Sequence, residues 1–98
     1  MIEIRETERF SRWLGELRDD QGRTRIQARI LRLRSGNPGD TRPVGCGVLE
    51  MRIHFGPGYR VYFVRHGSTV VVLLGGGDKS TQKKDIDLAI AMAGMLEE

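Results

Sequence analysis

The sequence predicts one mixed domain, an α/β fold of the α+β kind, on three observations. Apolar residues recur with a helical period through the first third, with a period of two over residues 43–75, and again with a helical period after Gly75-Gly76-Gly77. Ninety-eight residues support one hydrophobic core, so residues 1–98 are taken as a single domain.

The elements follow in order. Met1–Arg5 alternates Ile2 and Ile4 with polar residues, which fits a short edge strand. Thr7 offers an N-cap, and Phe10, Trp13, Leu14 and Leu17 fall at i, i+3, i+4 and i+7, giving an amphipathic helix that ends near Arg18 with Trp13 in the core. Asp19–Gly22 reads as a turn. A second helix spans Arg23–Ser35 with Ile26, Ile30 and Leu33 inward, and Gly36 ends it before the breaker string Asn37-Pro38-Gly39-Asp40. Strands follow near 43–47, 48–55, 59–66 and 69–75 as an antiparallel meander, with Gly56-Pro57-Gly58 and Gly67-Ser68 as turns. The glycine triplet and Asp78 release the chain into a last helix, capped by Ser80 or Thr81, whose apolar stripe is Ile86, Ala89, Ile90, Ala93 and Leu96.

Charge points to an anionic partner. Arginine outnumbers lysine 13 to 3, the net charge is +3 and the pI is near 9.5. A planar guanidinium grips phosphate through two parallel hydrogen bonds, so an arginine cluster fits nucleic acid. Arg25, Arg29 and Arg32 share one face of the second helix, where they form a solvated stripe or a phosphate contact. The single cysteine, Cys46, has no disulfide partner and is expected as a small, half-buried strand residue of a reducing compartment. No signal peptide is read at the start, and the longest apolar run, Val70–Leu74, is too short to cross a bilayer; the expected location is the cytoplasm, with no membrane partner.

Strand alternation places Val48, Glu50, Arg52 and His54 on the face opposite the core residues Leu49, Met51, Ile53 and Phe55. If Phe55 pairs with Tyr59, His54 lies opposite Arg60 and Arg52 opposite Tyr62. A two-residue turn at Gly67-Ser68 sets Arg60 beside Gly75 and Tyr62 beside Leu73, with Lys79 within reach. Arg52, His54, Arg60, Tyr62 and Lys79 are therefore expected on one patch, and a one-residue slip would scatter them. Asp78-Lys79-Ser80 after glycines is not a phosphate-binding loop, because glycine is missing directly before the lysine and again five residues earlier. His54 and His66 lack metal-ligand spacing, so no metal and no cofactor are expected, and His66 is read as structural.

Three segments carry a family resemblance: Gly47-Val48-Leu49-Glu50-Met51-Arg52-Ile53, Gly56-Pro57-Gly58-Tyr59-Arg60-Val61-Tyr62-Phe63, and Leu73–Ile86 with its Gly-Gly-Gly-Asp-Lys-Ser-Thr-Gln-Lys-Lys core. Together with Phe10–Leu17 and Arg34–Asp40 they resemble the RelE/ParE superfamily of bacterial toxins, and within it the HigB-like addiction module killer proteins. The resemblance implies a helical hairpin packed on a twisted, mainly antiparallel sheet, with a C-terminal helix. It implies a ribosome-dependent messenger RNA endoribonuclease that needs no metal and is held inactive by a cognate antitoxin, a helix-turn-helix protein by family analogy. On that expectation Arg52, His54, Arg60 and Lys79 are catalytic, His54 being the base, and Arg25, Arg29, Arg32, Tyr62, Lys83 and Lys84 bind RNA. Many RelE-type nucleases carry tyrosine or histidine near the chain end, whereas Thr81–Glu98 holds neither. That departure keeps open the ParE-like alternative, a toxin that inhibits DNA gyrase without cutting RNA.

Overall fold

The computed structural model describes residues 1–96, beginning with strand β1 (Glu3–Glu6) and two helices, α1 (Glu8–Glu16) and α2 (Asp20–Arg34). Thr7 starts α1 as expected: its hydroxyl accepts from the Phe10 amide at 3.2 Å and donates to the Leu73 carbonyl at 2.8 Å, tying the helix to the sheet. The second helix begins earlier than its apolar pattern implies. Asp19 is not a turn residue but an N-cap, accepting from the Gly22 amide at 2.9 Å. Gly36, at φ 94°, closes α2 in a Schellman motif: its amide reaches Leu33 and that of Asn37 reaches Arg32.

Strands β2 (Thr41–Gly45), β3 (Val48–Ile53), β4 (Tyr59–His66) and β5 (Val70–Gly77) follow, then a 3-10 turn (Lys79–Thr81) and α3 (Gln82–Met95). The sheet order is β1-β5-β4-β3-β2, with β1 parallel to β5 and every other pair antiparallel. Both Cys46 (φ 54°) and Gly47 (φ 82°) adopt positive φ in the two-residue turn joining β2 to β3, as a twisted hairpin demands. Cys46 is therefore an exposed turn residue, not a half-buried strand residue.

Both faces of the sheet are covered. On one, α1 and α2 bury Phe10, Ile26 and Leu33 against Met51, Val61, Phe63 and Leu73. On the other, α3 lays Ile86, Ala89, Ile90 and Ala93 over Val48, Tyr62, Val64, Val72 and Leu74. The 3-10 turn is capped by Asp78, which accepts from the Ser80 amide at 2.8 Å; Thr81 stands at the N-cap of α3 without capping it, since its hydroxyl donates to Asp85 at 2.5 Å instead.

The glycine triplet is strand, not exit loop, because both its flanks are occupied. A Cβ on Gly76 would overlap the Trp13 ring, and one on Gly77 would overlap the Asp85 carboxylate. Gly76→Ala is expected to destabilise the fold by about 1–3 kcal/mol, the usual result of overpacking. A urea titration followed by Trp13 emission checks this; an unchanged midpoint would show that the ring moves aside freely.

Candidate functional site

The β3–β4 register pairs Arg52 with Arg60 and Glu50 with Tyr62, two residues away from the expected alignment. The loop between these strands runs from His54 to Gly58, so His54 stands beyond the ladder and not opposite Arg60. Across β4–β5 the hairpin is one residue off the expected register at His66–Val70, and an irregularity at Leu74 adds a second residue, setting Tyr62 beside Gly75 and Arg60 beside Gly77. Two slips of one restore side-chain parity. A two-residue shift of the β3–β4 register preserves parity there as well, so Glu50, Arg60 and Tyr62 keep a common face, but α3 covers it.

Three consequences correct the expected patch. Tyr62 is fully buried, has no face left for a base, and donates its hydroxyl to Glu50 at 3.1 Å. Arg60 is only 5% exposed, with one terminal nitrogen donating to the Gly58 and Tyr59 carbonyls and its Nε 4.0 Å from Glu50. Glu50, fully buried, also accepts from Arg42 at 3.1 Å and Gln82 at 2.8 Å. This network locks β2, β3, β4 and the start of α3 together. Burial beside the Glu50 carboxylate pushes the Tyr62 phenol well above its ordinary pKa, so it stays a neutral donor.

Arg52, although opposite Arg60 in the ladder, turns its guanidinium to a more open place that it shares with His54. Asp40, just before β2, takes a hydrogen bond from Arg52 at 2.9 Å on one oxygen and meets His54 Nε2 at 2.5 Å on the other. Arg29 crosses from α2 and donates to the Arg52, Pro38 and Asp40 carbonyls at 2.6, 3.0 and 3.3 Å, so it clamps this loop and is no member of a solvated stripe. Arg25 lies 4.3 Å above the Phe55 ring. Arg25, Arg29 and Arg32 line a depression of about 250 Å³ with His54 and Phe55. The helix arginines and His54, expected in separate groups, share one basic hollow.

Lys79 is exposed and rests its stem on Gly58, whose carbonyl also holds Arg60. Lys83 and Lys84 lie on the outer side of α3 in a separate hollow with Ser80, Thr81 and Asp87, not beside His54. Among the described residues no cluster of three or more His, Cys, Asp or Glu side chains could hold a metal.

Asp40 and Phe55 are the members of the hollow's frame that the sequence did not single out. Thr41 pairs with Met51, so extending the β2–β3 hairpin by one residue sets Asp40 opposite Arg52. That opposite-charge pair was the available signal, hidden by starting the strand at residue 43. Hydrogen bonds from His54 and then Arg52 hold the Asp40 carboxyl below its ordinary value of 3.8. A depressed carboxylate stabilises the fold fully above the unfolded value and loses that contribution as pH falls through the folded one. Side-chain NMR should therefore show Asp40 titrating below 3.8, and in Asp40→Asn this part of the acid sensitivity should vanish; a midpoint at or above 3.8 would mean the bridge is absent in solution.

Residues 12–93 match the family model described as Phage derived protein Gp49-like (DUF891). The chain is also similar to an uncharacterized protein of Haemophilus influenzae, with 47% identity over 92 residues that span 94% of this chain and 93% of that one.

Proposed function

Since the chain belongs to the Gp49-like phage-derived family, a RelE-like toxin family, we propose that it is the HigB-like toxin of a type II toxin–antitoxin module and cuts messenger RNA on the ribosome, blocking translation. The observation that carries this reading is the exposed His54, tethered to Asp40 and set among Arg25, Arg29 and Arg32. With Nε2–H donated to Asp40, the Nδ1 lone pair of His54 is free to take the proton of an RNA 2′-hydroxyl. The 2′-oxygen then bonds to the adjacent phosphorus and the bond from phosphorus to the 5′-oxygen breaks. The products are a 2′,3′-cyclic phosphate and a 5′-hydroxyl.

Guanidinium groups around the hollow stabilise the extra negative charge of the phosphorane, which requires no metal. Lys79, at the far end of the 54–58 loop, is assigned to the leaving strand, where it orients the phosphate or returns the proton. Arg60 acts at one remove, by fixing the Gly58 and Tyr59 carbonyls under that loop. The partner that silences the toxin is a small antitoxin of the helix-turn-helix kind, covering the basic hollow or displacing an element beside it.

Primer extension on cellular messages after brief expression tests the reading. Discrete in-frame stops bearing 5′-hydroxyl ends support it. Intact messages accompanied by a DNA-damage response would replace it with gyrase inhibition.

A further inference from the structure

We propose a second RNA contact on α1, a guanine-binding platform in which Trp13 stacks on the base, Glu16 takes its edge, and Arg9 and Arg12 hold the neighbouring phosphate; it rests on the RNA-cutting reading above. These four side chains and Gly76 line a surface depression of about 190 Å³. Trp13 is half-buried and held in place: Gly76 lies beneath its ring, and the Phe10 and Tyr59 ring centroids stand 5.9 and 6.4 Å away. Gly75 makes room in the same way for Arg9. The two glycines thus seat an aromatic and a cation side by side.

Arg12 is paired with Glu8 one turn away at 3.0 Å, but the other two charges are not placed for the helix's own stability. Arg9 stands in the first turn of α1 and Glu16 at its last residue, the ends at which the helix dipole disfavours each sign. Neither forms an ion pair or side-chain hydrogen bond among the described residues. Single-stranded RNA is read by stacking bases on aromatic rings and bonding their free edges. A carboxylate only accepts, and guanine alone among the four bases offers it two adjacent donors, N1–H and the 2-amino group. Tyr59, whose edge meets Trp13, opens β4 directly after Gly58, so the platform lies at the same end of the sheet as His54 and Lys79.

Trp13 is the single tryptophan, so its emission reports on the platform alone. The full chain is titrated with labelled single-stranded octamers, one carrying guanines and one of uridine only, reading RNA anisotropy and Trp13 emission together. The guanine octamer should quench Trp13 with the midpoint seen by anisotropy and bind about tenfold more tightly than oligouridine. Glu16→Gln should reduce that preference to about threefold or less, and Arg9→Ala should weaken both octamers alike and flatten the salt dependence. Binding without a change in Trp13 emission, or a guanine preference that survives Glu16→Gln, would overturn the platform. So would the absence of binding to either octamer, while the nuclease reading would still be decided separately by primer extension.

Discussion

Glu50→Ala should lower the unfolding free energy by about 3–5 kcal/mol, the cost of leaving a buried charge without its partner. Glu50 has no exposed surface and Arg60 only 5%, so neither charge can turn to water when the other is removed. Among the described residues the Arg60 Nε already lacks a hydrogen-bond partner, and it lies 4.0 Å from the Glu50 carboxylate. Tyr62 and Gln82 lose their acceptor in the same step. For a chain of this size the loss corresponds to a fall of about 12 °C or more in Tm, measurable by calorimetry.

The double variant Glu50→Leu with Arg60→Met should recover part of that loss, because replacing both members of a buried pair by apolar groups is often neutral, whereas Tyr62 and Gln82 still lack their acceptor. The single variants Glu50→Leu and Arg60→Met and their double variant then form a cycle with a coupling above about 2 kcal/mol. A Glu50→Ala protein within about 1 kcal/mol of the parent would mean that α3 does not seal this network. The same reasoning changes what Arg60→Ala can report. Loss of toxicity there would reflect a failing fold as much as a failing site, so Arg60 is unsuited to the test of chemistry that its expected place opposite His54 invites.

Local chemistry made most of the fold legible. Thr7, Gly36 and the apolar spacings of Phe10–Leu17 and Ile26–Leu33 specify their elements through hydrogen bonds and burial within a few residues. Alternation also put Glu50, Arg60 and Tyr62 on a common face, and that survived because the β3–β4 ladder is shifted by two residues, an even number. Long-range choices were not legible. Nothing within Gly75-Gly76-Gly77 tells that Trp13 and Asp85 press on it from opposite sides, so a strand end looks like a loop.

The covering of the second face by α3 did have a signal. Tyr59–Val64 and Val70–Leu74 are nearly continuous in apolar residues, the mark of strands buried on both sides. Read that way, Glu50, Arg60 and Tyr62 become an interior network, and the search for a reactive patch moves outward to the strand ends. Asp40 stayed hidden because its role depends on a hairpin extended by one residue past Thr41.

His54→Ala should reduce messenger RNA cleavage about 10²–10⁴-fold, the usual contribution of a positioned general base, while the protein stays folded and its urea midpoint falls only by what the exposed Asp40 contact contributes. The His54 side chain is 67% exposed, and Asp40, its partner among the described residues, keeps Arg52. Asp40→Asn separates orientation from charge: the amide can still present an oxygen to Nε2–H, but the negative charge beside the ring is gone. Its cleavage rate should fall between those of the parent and His54→Ala, about tenfold to a hundredfold below the parent. Arg32→Ala removes a cation from the rim of the hollow without touching the Arg29 clamp, and should slow cutting with the protein fully folded. Growth arrest scored beside primer extension makes the three variants decisive. If His54→Ala and Arg32→Ala both arrest growth and both leave the parental cleavage pattern, the hollow is not the reactive site, and Lys79 with the outer face of α3 becomes the place to look. If they arrest growth with no cleavage at all in the parent either, the toxin acts on a protein, and the arginines of α2 are then contacts to that protein rather than to a phosphate.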